Sequence, residues 1–425
     1  MFKKLSTKID SYKEEAVKMQ EELTSRKAIA PESGGEGEYE KAMWIEAELK
    51  KMGFDEISRV DCPDKRAIKG IRPNIVAKYY GEDKTKTLWV MTHMDVVPEG
   101  EKSLWKTDPF KVHREGDILY GRGVEDNQQG MIASILTAKA MMEEGYRPPF
   151  NFALLINSDE EVGSKHGVEY VLKTKPELFG KNDAFLVPDG GNEKGEMVEI
   201  AEKSIAWLKI HTLGKQCHAS MPALGNNAFT AGSDLALRLR NGLYEHFNAK
   251  DGLFDPNIST FEPTKKDKNV DNVNTIPGDD VFYLDCRVLP TYTLTEIHKK
   301  VLEISASIEK DYKVKVSVEP VMTMTSKNPT PKHSPLTKAV IEASKAVYNN
   351  NPQPCGIGGG TVGAYFRNEG YHAVIWSKIK DTAHMPNEEC DLNNLLGDAK
   401  AFIHIAMNLK LNIADASVSS VWDNK

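Results

Sequence analysis

The residues best suited to chemistry in this 425-residue chain are acids and histidines set at the ends of apolar runs: His93, Asp95, Asp126, Glu160, Glu161, Asp189 and His384. Imidazole and carboxylate are ligands for zinc-type cations, and a set this large could hold two ions and activate a water for hydrolysis. In THMDVVPEG, the run from Thr87 to Met91 reads as a strand that delivers His93 and Asp95. A side-chain period of two puts both on one side of an extended chain. The Asp95 carboxylate could then accept from one ring nitrogen of His93 and prime the other for metal. GRGVEDNQQG sets Asp126 in a Gly-rich turn before a helix, where it could bridge two cations through opposite oxygens or simply cap the helix. NSDEEVGS offers Glu160 and Glu161 side by side, so that one could ligate while its neighbour holds the water; the bland alternative is a charged surface turn.

The elements that must position these residues alternate in type. IRPNIVAKYYG, TLWVMTHMDVV, FNFALLINSD and DAFLVPDG predict short strands, and GMIASILTAKAMMEEG between two of them predicts a helix of about four turns. Helical periodicity also opens the chain and covers Glu38 to Met52, with Gly53 as a C-cap. This is an α/β pattern with its candidate ligands just beyond strand ends, where open α/β sheets bind. From Ile205 the pattern changes. SIAWLKIHTLG, a helix from Asn227, a strand near GLFDPNISTFEP, DDVFYLDCRVLP, LTEIHKKVLEISASIEKD and YKVKVSVEP predict a β-α-β-β-α-β unit, with FEPTKKDKNVDNVNT left as a loop. The expected organisation is a first segment over 1–204, an insert over 205–323 and a second segment of the first domain over 324–425.

Composition narrows the function classes. Sixty-two acids against 55 Lys and Arg, with a formal charge of -7, argue against a nucleic-acid surface. Charge throughout the N-terminal segment and the absence of a long apolar run predict neither a signal peptide nor a membrane partner. Five scattered cysteines without a CxxC pair predict a reducing, cytoplasmic setting and no thiolate metal site. A cysteine hydrolase built on Cys217 and His218 fits poorly, because adjacent strand residues point apart.

THMDVVPEG, GRGVEDNQQG, NSDEEVGS, VPDG, CHASMPALGNNA and AHMPNEE occur in the order found in the M20 metallopeptidases and amidohydrolases, and the whole chain resembles that family. The group includes carboxypeptidase G2-like, aminoacylase-like, acetylornithine deacetylase-like and succinyl-diaminopimelate desuccinylase-like enzymes. The resemblance implies an α/β mixed-sheet metallohydrolase domain with an inserted α+β, ferredoxin-like lid or dimerisation domain. It implies two Zn2+ per subunit, with Co2+ or Mn2+ as substitutes: His93 and Asp189 on one ion, Glu161 and His384 on the other, Asp126 bridging. Asp95 would orient His93, Glu160 would be the general base, and a cis peptide would follow Asp126. His218 would stabilise the oxyanion, reaching a partner's site in a homodimer. Asn274, Arg287, Gly359, Gly360 and Thr361 would bind the substrate, a small molecule or short peptide with a free carboxylate. The implied reaction is cleavage of an amide or peptide bond by a dipeptidase or carboxypeptidase; the alternative is an N-acyl amino acid deacylase. The residue types alone leave His218 open as a polar turn residue and PCGIGGGTVGAYF as a tight strand-to-helix connection. IWSKIKDTAHMPNEE lacks the GPG turn common before the last ligand, and the loop from His246 to Asn274 exceeds that of the smallest desuccinylases.

Overall fold

A computed structural model of the protein describes residues 1–267 and 269–411. It divides into two compact units, one comprising Met1–Ile200, Thr330–Pro354 and the chain from Tyr365, the other Ala201–Pro329 with Cys355–Ala364. The Gly-rich segment, placed by sequence in the second segment of the first domain, thus groups with the insert. The end of that expected segment, past residue 411, and Lys268 in the expected loop lie outside the described residues.

The first unit is built on a mixed eight-stranded sheet in the order Glu56–Pro63, Ile71–Tyr79, Phe150–Asn157, Asp83–His93, Ala184–Asn192, His372–Lys378, Met197–Glu202, Gln353–Ile357. Its centre is parallel: Asp83–His93 pairs in parallel with both Phe150–Asn157 and Ala184–Asn192, and the latter with His372–Lys378. Phe150–Asn157 is buried at every position, which explains why it reads as an unbroken apolar run. The helix Gln128–Glu143 crosses beside these strands and packs against Leu392–Asn408. At Gly130 a Cβ would fall 2.5 Å from the Pro188 carbonyl, so glycine allows the helix start to approach the strand that carries Asp189.

In the second unit the order is Thr260–Lys266, Asp279–Val288, Ser204–Leu213, Lys315–Met324, antiparallel throughout. The helices Ala228–His246 and Leu294–Tyr312 cover one face around Leu208, Leu239, Phe261, Leu284 and Val301. Thr293 and Glu296 form a capping box at the second helix. The strand expected near GLFDPNISTFEP is present as Thr260–Lys266 and runs on past Pro263 into residues expected in the loop. Its proline is tolerated because this is an edge strand with a register shift after Pro263.

Beneath the acid turn of the first unit lies Arg72, fully buried. Its Nε donates to Glu38 at 2.6 Å and its Nη1 meets Asp159 at 2.9 Å and Glu32 at 3.4 Å. One guanidinium therefore ties the start of the helix Tyr39–Met52 to the residue just before Glu160. Replacing Arg72 by Met would leave Glu38 and Asp159 buried without their cation. The expected loss is about 3–5 kcal/mol, read as a lowered urea midpoint. An unchanged midpoint would show that the cluster is not needed for stability.

Candidate metal centre

Each candidate ligand sits where the backbone ends or breaks. His93 closes its strand, and Glu160 and Glu161 open a single 3-10 turn after Asp159, whose φ is 69°. Asp189 lies inside Ala184–Asn192 rather than after it: pairing with His372–Lys378 passes from Val187↔Ile375 to Gly191↔Ser377, so the chain bulges around Asp189 and re-aims its side chain. Asp126 does not cap the following helix. Asn127 holds the N-cap position, and the Asp126–Asn127 peptide is cis. The Asn127 amide donates 2.7 Å bonds to the Pro188 carbonyl and to Asp189 Oδ1, joining two ligand turns.

These turns bring the side chains into two sets on either side of one carboxylate. Asp126 Oδ1 lies 2.9 Å from His93 Nε2, which is 3.4 Å from Asp189 Oδ1. Asp126 Oδ2 lies 3.2 Å from His384 Nε2, which is 2.9 Å from Glu161 Oε2. Ligand atoms of His93, Glu160 and Asp189 also lie within 4.8 Å of one another. Asp95 meets His93 through two groups. His93 Nδ1 is 3.0 Å from the main-chain carbonyl of Asp95 and 3.5 Å from its carboxylate, and that carboxylate accepts from the backbone N–H groups of Glu160 and Glu161 at 3.1 Å each. Asp95 thus meets the imidazole through both its carbonyl and its carboxylate and holds the acid turn through the carboxylate.

Burial and the mutual charges shift His93, Asp126, Glu160, Glu161, Asp189 and His384, all but Asp126 toward their protonated forms. Burial, then the charge of Asp189, pushes the Glu160 carboxyl well above its ordinary range, and burial with the charge of Asp126 raises Glu161 to about 7. Burial also raises Asp189. Hydrogen bonds to Asp126 and Glu161 raise His384 to about 10. Burial works against protonation of His93, but the charge of Asp189 and the bond to Asp126 hold it well above the usual imidazole range. Burial opposes the Asp126 anion, and its bonds to His384 and His93 outweigh that. Buried carboxylates facing one another fit cations, and an all-nitrogen-and-oxygen donor set without sulfur suits zinc, cobalt or manganese.

The sequence reading stopped at the ligands and missed the residues that hold them. Glu388, fully buried, accepts from the N–H groups of Gly123, Glu125 and Asp126 at 2.9–3.0 Å and from Arg122 at 2.6 Å. Glu125 reaches the other way and accepts from the N–H groups of Lys380 and Thr382 at 2.5 and 2.6 Å. The loop of His384 and the turn of Asp126 therefore exchange carboxylates. Both acids adjoin motif residues in VEDN and NEE, and that adjacency was the available signal.

The other candidates belong to the second unit. His218 pairs with Thr275 in a two-residue ladder, is exposed, and has Nδ1 2.8 Å from Ser220 Oγ, while Ala219 N–H donates to the Asn274 carbonyl at 2.9 Å. Arg287 gives two bonds to Asp285, at 2.8 and 3.1 Å, and one to the Gly358 carbonyl at 3.0 Å. Of its five N–H donors, one on each terminal nitrogen is left. At Gly359 a Cβ would make an ordinary contact with the Ile357 side chain at 3.6 Å; at Gly360 it would meet the Met324 methyl at 2.1 Å. The Thr361 hydroxyl donates to buried Glu202. Cys217 Sγ contacts the Met221 carbonyl at 3.5 Å, and none of the five cysteines, all among the described residues, is in a disulfide. No helix of the described residues is long and apolar enough to cross a membrane.

Known proteins share this architecture. An uncharacterised metallohydrolase of Methanocaldococcus jannaschii is 39% identical over 410 residues, covering 92% of this chain and 98% of that protein. A succinyl-diaminopimelate desuccinylase of Wolbachia pipientis subsp. Culex pipiens is 29% identical over 395 residues, covering 91% and 92%. Human carnosine dipeptidase 1 is similar in fold, with a TM-score of 0.75 at 17% identity over 96% of this chain and 98% of that one. The fold is that of an α/β catalytic domain with an inserted β-rich subdomain, and its clustered acids and histidines form a dinuclear metal-binding site. The profile of peptidase family M20/M25/M40 matches residues 89–408, a span that takes in every ligand candidate, and the chain belongs to that family.

Proposed function

We propose that this protein is a di-zinc hydrolase of amide or peptide bonds next to a free carboxylate, acting foremost as a dipeptidase or carboxypeptidase. The observation that carries the reading is the Asp126 carboxylate, with one oxygen turned to His93 and Asp189 and the other to His384 and Glu161. His93 and Asp189 would hold one ion and Glu161 and His384 the second, with Asp126 shared. Bound cations supply positive charge that acidifies a water and polarises the amide carbonyl. Glu160 takes the proton of the attacking water, since its carboxyl stands beside the first set with no hydrogen-bond partner described for its side chain. It then returns that proton to the leaving nitrogen. Asp95 keeps Glu160 in place by bonding its backbone. His218 donates to the developing oxyanion, and Arg287, Asn274 and the Gly359–Thr361 turn receive the substrate carboxylate and amide.

Similarity to a carnosine dipeptidase in fold supports the peptidase reading. Similarity in sequence to a desuccinylase supports the second one, an N-acyl amino acid deacylase. We also propose a homodimer formed through an edge of the four-stranded sheet, in which His218 serves the partner's site.

Hydrolysis of dipeptides, their C-terminal amides, and N-acetyl and N-succinyl amino acids by the zinc-loaded protein is expected to favour dipeptides with a free carboxylate. Glu160→Gln should retain zinc and lose activity by roughly 10²–10⁴-fold. Full zinc with near-normal turnover would remove Glu160 from the mechanism, and preferred release of acetate or succinate would replace the peptidase by the deacylase. Light scattering after size exclusion should give a dimer mass. A fully active monomer would contradict the supply of His218 by a partner.

A further inference from the structure

The two histidines of the centre are held by unequal means. His93 ends a central strand, is buried, and has its second ring nitrogen 3.0 Å from a carbonyl oxygen. His384 stands in a loop with its side chain 56% exposed, and the contacts described for its ring are those to Asp126 and Glu161. Its placement therefore depends on the loop backbone. That backbone is in an unfavourable shape: Asp381, His384 and Asn387 have φ of 62°, 64° and 61°. Non-glycine residues in the left-handed region cost roughly 1–3 kcal/mol each and persist where the surroundings impose them.

Arg122 Nη2 donates to the His384 carbonyl at 3.3 Å, and the group that fixes the start of the loop is Glu125. Its side chain comes from the turn of the bridging acid, is buried, and uses both oxygens on the loop: one accepts from Lys380 N–H at 2.5 Å, the other from Thr382 N–H at 2.6 Å and from the Thr382 hydroxyl at 3.1 Å. The same hydroxyl accepts from Glu389 N–H at 3.0 Å, closing the loop on itself across His384. Asn387 fastens the far side by bonds to Lys106 N–H at 2.7 Å and the Leu104 carbonyl at 3.0 Å. None of these contacts reaches His93 or Asp189.

We propose that Glu125 is a positioning residue for one of the two cations: it sets the His384 loop, and its loss weakens the Glu161–His384 site while sparing the His93–Asp189 site. The proposal rests on the reading that His384 is a metal ligand.

Calorimetric titration of the metal-free chain with Zn2+ tests it. The wild-type protein should bind in two steps, and His384→Ala identifies which step belongs to His384. Glu125→Ala should weaken that same step by about 10–100-fold, the usual range for groups that orient a ligand, and leave the other within about threefold. Glu125→Gln keeps one acceptor but turns an amide NH2 toward a backbone N–H, and should show a smaller loss at the same step. Thr382→Val, which keeps the Glu125 carboxylate, should also lie between wild type and Glu125→Ala, and it carries the test if Glu125→Ala does not fold. Equal weakening of both steps, or no change in either, would overturn the role of Glu125. A single step in the wild-type chain would instead overturn the dinuclear reading beneath it, so the two failures are distinguishable.

Discussion

The centre depends on a carboxylate, that of Asp126, presenting its two oxygens in opposite directions, each to a histidine and an acid. An ordinary helix start would spend such a group on capping. Here Asn127 takes the cap position and turns its amide to the Asp189 turn, and Glu388 collects the N–H groups around Asp126. The bridging acid is left free of local backbone duties. Its geometry is then a property of three chain segments far apart in sequence, which is why the site needs the whole first unit.

Concentrating acids in this way creates a stability problem that the fold answers with fixed cations behind the site. Arg72 meets Glu38 and Asp159 under the acid turn, and Arg122 meets Glu388 under the bridging turn. Both guanidinium groups are buried and planar, able to satisfy two acceptors at once, and Arg122 also donates to the His384 carbonyl at 3.3 Å. Among the described ion pairs the ligand carboxylates Asp126, Glu161 and Asp189 meet histidines, groups that can give up their protons to a divalent ion.

Much of this was legible in the chain. Apolar runs ending in His93, Glu160 and near Asp189 are central strands buried on both faces, so composition alone reveals them. Motif order supplied Asp126 and His384, which lie in irregular backbone that periodicity does not describe. The reading failed where local pattern and tertiary role diverge. The end of Thr260–Lys266, past Pro263, looks like a loop because it follows a proline and holds lysines, which an edge strand accepts and a central one does not. Asp95 meets His93 with its carboxylate at 3.5 Å, as its spacing suggests, and also with its carbonyl at 3.0 Å, which spacing does not show. Glu125 and Glu388 were passed over because carboxylates that bond backbone N–H groups leave no spacing pattern. The Gly-rich turn reads alike as a substrate site and as a connection, and a side chain at Gly360 would have to displace the Met324 methyl.

The central claim is that one carboxylate divides two metal ions between two ligand pairs. Anomalous diffraction at the zinc edge, from crystals grown with zinc, measures this directly. The expected result is two peaks about 3.5–4 Å apart on either side of the Asp126 carboxylate, one touching His93 and Asp189 and the other His384 and Glu161. A lone peak, or a pair in which Asp126 contacts only one ion, would contradict the account.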